Sequence, residues 1–172
     1  VFYADYLSTE FEITKFLMDF AKINKAVLAG LEYRVKLPKS LYNKLYQRVE
    51  KSFFDSIADV IRYTVILEPK EYVEQIRSVT DALYEKNWKI YSLKNYWVND
   101  SFPYNGVNAK FKNSRNYRIE IQFHTQESFD VKMSKEDHDL YEQRRVLEPG
   151  CDEYNRILQL QLNLYSNMEY PK

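Results

Sequence analysis

Tyr117-Arg-Ile-Glu-Ile-Gln-Phe-His124 is the stretch whose reading decides the fold. Its side chains alternate without a break. Ile119, Ile121 and Phe123 fall on one side, and Arg118, Glu120, Gln122 and His124 fall on the other. A period of two predicts a strand with one face packed against apolar partners. Two readings of the polar face stand side by side. It is either an ordinary solvated face, or a row of functional groups around a carboxylate, and its chemistry is more varied than solvation requires.

Working outward, Asn113-Ser-Arg-Asn116 is turn chemistry between this strand and Val107–Lys112, so the pair reads as an antiparallel hairpin. Asn99 to Gly106 is a loop, and Lys89–Trp97 before it reads as a strand. Ile61–Leu67, rich in β-branched and aromatic residues, predicts another. On the far side, Gln126–Leu147 predicts one helix stopped by Pro149-Gly150, and Asp152–Asn167 a last one. Towards the start, Thr9-x-x-Glu12 resembles a capping box opening a helix that Gly30 stops. Tyr33–Leu37 reads as extended, Pro38 leads a helix over 40–51, Phe53–Ala58 adds a helical turn, and Pro69 opens a helix reaching Asn87. The sum is α+β: a mixed, mostly antiparallel sheet of four to five strands flanked by helices. One domain spans 1–172, with an N-terminal helix over 1–30, a core over 31–147 and a C-terminal helix over 150–167.

Composition narrows the chemistry. In 172 residues there are 3 glycines, Gly30, Gly106 and Gly150, too far apart for any glycine-rich phosphate loop. A nucleotide must therefore be held by side chains. The 25 basic and 25 acidic residues cancel, so no global field favours nucleic acid. One cysteine, Cys151, excludes an intrachain disulfide, and 2 histidines argue against zinc. No apolar run reaches membrane-spanning length, so no membrane association is expected. With no leader pattern at Val1-Phe2, action in the cytoplasm is expected, either the producer's or, for a delivered toxin domain, a target cell's. The missing initiator Met suggests either a domain excised from a larger parent chain or a processed chain.

Further segments carry candidate chemistry. Asp59, ahead of the strand that holds Arg62, is either a turn acid or a cation ligand. Arg34, Lys36, Lys39 and Lys44 are either a charged surface or a clamp for polyphosphate. His138, Tyr141 and Arg145 share a helix face.

Taken in order, these segments resemble the RelA/SpoT-type (p)ppGpp synthetase domain. Arg34-Val-Lys36-Leu-Pro-Lys-Ser40 is similar to its R-x-K-x-x-x-S, and Asp59 with Arg62 to its acid before a strand arginine. Lys94-Asn95-Tyr96 matches K-[DN]-Y, and Asn105-Gly106 its N-G turn. Glu120-Ile-Gln122-Phe-His-Thr125 stands for E-x-Q-x-R-T. The resemblance implies a nucleotidyltransferase-like fold and Mg²⁺-dependent transfer of pyrophosphate from ATP to a nucleotide 3′-hydroxyl. It implies Asp59 and Glu120 as catalytic and metal-holding acids, and Arg34, Lys36, Lys39, Lys44 and Arg62 on the ATP phosphates. On the acceptor side it implies Lys94, Tyr96, Tyr104, Asn105, Gln122, His124, His138 and Arg145.

The departures are local. Asp59 precedes Arg62 by three residues where the family has five. Val107 and Phe111 replace the Tyr and His of N-G-Y-x-S-L-H, and His124 replaces an Arg. The phosphate half of the pattern is kept and the acceptor half is not. A divergent toxin- and phage-associated branch is closer, carrying Ser128, Lys132, His138-Asp-Leu-Tyr141 and Arg144 after the Glu120 motif. The acceptor is then GDP or GTP, an adenine nucleotide, or the 3′ end of tRNA, and an antitoxin is an expected partner. A catalytically inactive domain that binds nucleotide or a protein partner is the alternative.

Overall fold

Five strands form one sheet in the order β1-β2-β5-β4-β3. They are β1 (Val27–Ala29), β2 (Ile61–Ile66), β3 (Lys89–Asn95), β4 (Val107–Lys112) and β5 (Arg118–His124). The computed structural model describes residues 2–47, 59–98 and 101–172. Among the described residues, six α-helices accompany the sheet: α1 (Phe2–Asn24), α2 (Pro38–Gln47), α3 (Tyr72–Glu85), α4 (Gln126–Met133), α5 (Lys135–Arg144) and α6 (Asp152–Tyr165).

The hairpin predicted from the alternation is present, with Val107 opposite Phe123 and Lys112 opposite Arg118. Asn113 shapes its turn: Oδ1 accepts from the Arg115 and Tyr117 amides. The other edge of β5 pairs in parallel with β2, so that Arg62 stands opposite Glu120 and Thr64 opposite Gln122. A parallel pair needs a long crossover. Here α3, β3 and β4 supply it. Beyond β2 the edge is shared: β1 covers Thr64–Ile66, and the segment around Val35 bridges Ile61.

Ile119, Ile121 and Phe123 are fully buried, as are Tyr63, Val65, Ala109 and Phe111 beside them. α1 contributes Ile13, Leu17 and Phe20 to this core, and α3 contributes Tyr72, Val79 and Leu83. Each large apolar side chain removed from water adds about 1.5–3 kcal/mol, so this layer fixes which sheet face points inward. The opposite face is the polar one.

Several local expectations are corrected. Thr9 and Glu12 do not open a helix; α1 begins at Phe2, because nothing in the preceding residues breaks it. α1 stops at Lys25 rather than Gly30. Lys25 takes a left-handed φ of 54°, and the Ala26 amide reaches back to the Ala21 carbonyl, satisfying the helix end without glycine. Leu31–Tyr33 is a 3-10 turn that the helical Arg34 closes by donating its amide to the Leu31 carbonyl, so the extended segment starts at Val35. The helix expected over 126–147 is two helices. Ser134 is extended, and its Oγ accepts from the Asp137 amide to start α5 afresh. β3 ends at Asn95, whose Oδ1 accepts from the Trp97 amide and turns that indole into the core. β1 is a strand that the sequence reading did not place. The helical turn expected over Phe53–Ala58, the residues 48–51 of the second helix, and Asn99 and Asp100 of the loop lie outside the described residues.

Replacing Ile121 by Ala should cost about 2–5 kcal/mol as a cavity at the sheet centre. Ser134→Ala should cost about 1 kcal/mol through loss of the cap. Urea unfolding of the two variants checks both, and a smaller loss for Ile121→Ala than for Ser134→Ala would contradict this account of the core.

Candidate active site

The polar face is built by register. Arg62 of β2 and Lys110 of β4 are the two cross-strand partners of Glu120. Gln122 lies between Thr64 and Asn108. Lys94, Lys110, Lys112, Arg118 and Arg62 all share this face, while Glu120 is the sole Asp or Glu in any of the five strands. A chain with balanced total charge thus gathers cations around one carboxylate.

This face is not solvated. Glu120 is 8% exposed, Gln122 7% and His124 0%. Burial of three polar groups in a row requires partners, and they are found. Gln122 Nε2 donates to Glu120 Oε1 at 2.8 Å. Lys132 Nζ, reaching down from α4, donates to Gln122 Oε1 at 2.7 Å and lies 3.4 Å from His124 Nε2. The Tyr104 hydroxyl sits 2.8 Å from the same nitrogen and donates to Asn108 Oδ1 at 2.8 Å. His124 Nδ1 is 3.0 Å from Ser128 Oγ.

The chain turns to make this possible at Thr125. Its Oγ1 accepts from the Ser128 amide, while Ser128 Oγ accepts from the Thr125 amide, a reciprocal cap that converts β5 into α4. The motif's final threonine is thus a folding device. Two helical turns later, Lys132 lies back over Gln122. Burial holds Lys132 down to a pKa of about 8, with the Arg62 charge pushing the same way and Glu120 opposing. Burial, then Lys132, keeps His124 neutral well below the ordinary histidine range. Burial raises the Tyr104 phenol.

The phosphate-side candidates line a separate, adjoining hollow of about 380 Å³, bordered by Tyr33, Lys36, Ser40, Asp59 and Arg62. Backbone bonds from Arg62 N to the Arg34 carbonyl and from Lys36 N to the Val60 carbonyl dock this segment on β2. Lys36 Nζ donates to Asp59 Oδ2 at 2.9 Å. Arg34 does not face Glu120; its Nε donates to Glu10 of α1, and its NH1 to the Leu31 carbonyl. Burial raises the Glu10 carboxyl, but the bonds from Arg34 and Thr14 outweigh it and leave the group below its usual value. Arg62 borders both the hollow and Glu120, so it links the two halves. Lys39 is exposed in the first turn of α2, and the Lys44 side chain lies outside the described residues.

On the other side, Tyr96 packs on Phe102 and edge-on against Tyr104. Lys94 is exposed opposite Asn108. Asn105 is turned away: its amide donates to the Tyr165 carbonyl and Met168 Sδ, seating the end of α6. His138 is exposed on α5, and Arg145, at its end, pairs with Glu142. Arg144 points inward instead, to Gln161 and Tyr154. Cys151 caps α6 through Sγ.

Among the described residues, no three carboxylate, histidine or cysteine side chains converge as a metal cage. Mg²⁺ does not need one. It commonly takes one or two carboxylates with substrate phosphate and water, and Asp59, at the edge of a hollow lined by Lys36 and Arg62, fits that pattern.

No protein-family profile matches the chain, and no curated protein matches its sequence. Solved structures do match. One is a chain in the complex between the Type VI effector Tas1 and its immunity protein: 19% identical, TM-score 0.72, covering 95% of this chain and 92% of that one. This chain has the alarmone-synthetase fold. A GTP pyrophosphokinase family protein from Streptococcus pneumoniae aligns at 16% identity and TM-score 0.65, over 96% of this chain and 86% of that one. Small alarmone synthetase 1 from Bacillus subtilis, bound to its product pppGpp, aligns at 14% and 0.60, over 94% and 88%. The alarmone-synthetase fold bears out the nucleotidyltransferase-like α+β expectation across nearly the whole chain. The described residues include no helix long and apolar enough to cross a membrane.

Gly106 holds this arrangement from behind. A Cβ there would meet the Phe123 carbonyl at 2.9 Å, His124 Cε1 at 3.0 Å and Tyr104 Cε1 at 3.2 Å. Gly106→Ala should therefore shift the His124 ring resonances and cost about 1–3 kcal/mol; unchanged spectra would refute the close approach. Lys132 gives a second test. Its folded pKa of about 8 lies below the ordinary 10.5, so its charge opposes folding below pH 8 and that cost disappears as pH rises. Above pH 10 the sign reverses, because buried Tyr63 keeps its proton to about 12. Stability should rise between about pH 8 and 10, and urea titrations of Lys132→Met should lack that rise.

Proposed function

We propose that the chain is a nucleotide pyrophosphokinase. The observation that carries this reading is a buried carboxylate, Glu120, flanked across the sheet by Arg62 and Lys110 and adjoining a hollow that collects Lys36, Asp59 and Arg62. Removing one or more phosphates from water demands several fixed cations, and this chain supplies them without a glycine loop.

In this reading ATP places its polyphosphate in the hollow, against Lys36 and Arg62, with Arg34, Lys39 and Lys44 as further cations of the same segment. The acceptor enters over β5 and β4, towards Tyr104, Tyr96 and Lys94. The 3′-oxygen of the acceptor forms a bond to the β-phosphorus, the bond from that phosphorus to the α–β bridging oxygen breaks, and AMP leaves. The hydroxyl proton goes to Glu120. Its Oε1 is already occupied by Gln122, so Oε2 is the oxygen that receives it. Mg²⁺ bound with the phosphates would neutralise their charge, and Asp59 is the residue to hold it, with Glu120 as a second candidate ligand. Lys36 must then exchange Asp59 for phosphate, which converts an internal ion pair into two ligand contacts.

The acceptor is a nucleotide: GDP or GTP, an adenine nucleotide, or the 3′ end of tRNA. The structural likeness to an effector that forms a complex with an immunity protein supports a toxin role, with action in a target cytoplasm and a neutralising protein partner.

Incubation with Mg²⁺ and ATP labelled at the β or γ phosphate, with each acceptor in turn, should yield a labelled product. Glu120→Gln should lower kcat by about 10²–10⁴ while the thermal midpoint stays near that of the wild type. Absence of transfer to every acceptor would favour a nucleotide- or partner-binding domain instead.

A further inference from the structure

Lys132 touches the row of buried polar groups from above the sheet, through Gln122 Oε1 at 2.7 Å. An ammonium carries only donors. Whatever it touches on Gln122 must be the carbonyl oxygen, so the amide nitrogen is forced to the other side, where it donates to Glu120 Oε1 at 2.8 Å. The reverse orientation would set N–H against ammonium and carbonyl oxygen against carboxylate, two repulsions in a site where Gln122 and Glu120 are 7% and 8% exposed.

The ammonium itself is confined. Its nitrogen lies 5.8 Å from the centre of the Tyr104 ring and 5.9 Å from that of Phe129. Ser128, one helical turn earlier on the same face, holds α4 to His124 and to the Thr125 cap. We propose that Lys132 is a positioning residue: it fixes the Gln122 amide so that Oε1 of Glu120 is occupied and Oε2 is presented to the attacking hydroxyl. The inference rests on the pyrophosphokinase reading for its consequence, but its geometric claim concerns the free protein.

Both are tested together. In the free protein, the Gln122 side-chain amide protons are followed by nitrogen-edited NMR. They should lie away from free-amide positions and exchange slowly with water in the wild type and in Lys132→Arg, and should move towards free-amide positions and exchange faster in Lys132→Met as the amide loses its fixed orientation. In the transfer assay, Lys132→Met should lower kcat about 10- to 100-fold, the range typical of groups that orient a catalytic residue, with KM for ATP and acceptor little changed. Chemical rescue separates positioning from simple loss of packing. With Cys151, the single cysteine, replaced by Ser, Lys132→Cys should show the same loss of kcat and should recover on aminoethylation with 2-bromoethylamine, which rebuilds a lysine-like ammonium. Unchanged Gln122 signals in Lys132→Met, an unchanged kcat, or failure of rescue in a protein with a wild-type thermal midpoint would each overturn the proposal. If the wild type transfers to no acceptor, the pyrophosphokinase reading falls by itself, and the amide spectrum still decides whether Lys132 orients Gln122.

Discussion

The parallel pairing of β2 with β5 is the constraint on which the rest depends. Its register sets Arg62 beside Glu120, Thr64 beside Gln122 and Ile66 beside His124. A one-residue slip would turn every one of these groups to the other face. The apolar alternates, Tyr63, Val65, Ile121 and Phe123, prevent that slip, because each would leave the core. The chemistry on one face is thus held in place by hydrophobic burial on the other. This link runs from sequence period to packing to site.

The polar face illustrates how burial and function conflict and are reconciled. Three side chains that ordinarily seek water are covered by α4 and by the turn before β4. Covering them without partners would cost about 1–3 kcal/mol for each group. The chain instead bonds Lys132 to Gln122 and Gln122 to Glu120, and sets His124 Nε2 within reach of both Tyr104 and Lys132. Such an arrangement has few alternatives, and fixed geometry is what the proposed group transfer would require. His124, where the family pattern has arginine, belongs to this arrangement: a neutral ring accommodates a neighbouring ammonium that a second fixed charge would oppose.

Much of this was legible in the sequence. Alternation over Tyr117–His124 located the central strand, the hairpin and the polar row, and β-branched content located β2. What alternation does not tell is whether a polar face is wet, since that depends on what lies above it. β1 escaped notice because three residues between a helix end and a 3-10 turn carry no period. The break at Ser134 was hidden because no glycine or proline marks it, although Ser134 with Asp137 three residues on is a capping pattern in retrospect. Lys132 has no local signal beyond its place in the divergent motif. Its importance comes from the Thr125 cap folding the chain back on itself. Asn105 fails in the opposite sense: it sits in a family motif, yet its amide is spent on the end of α6.

The ion pairs beside the hollow have a consequence for how it would meet the ligands of the proposed function. Lys36 is matched with Asp59, and Arg34 with Glu10. The cleft therefore carries its own counter-charges, covalently supplied, where an unmatched cluster of cations would gather anions from solution. Under the proposed function, arrival of a polyphosphate would exchange the carboxylate partner of Lys36 for a phosphate oxygen and release few ions to the solvent. Attraction at a distance is muted, and selectivity shifts to ligands that can both displace Asp59 from Lys36 and give that carboxylate a new cation. A nucleotide carrying a divalent metal does both at once; bare phosphate does only the first.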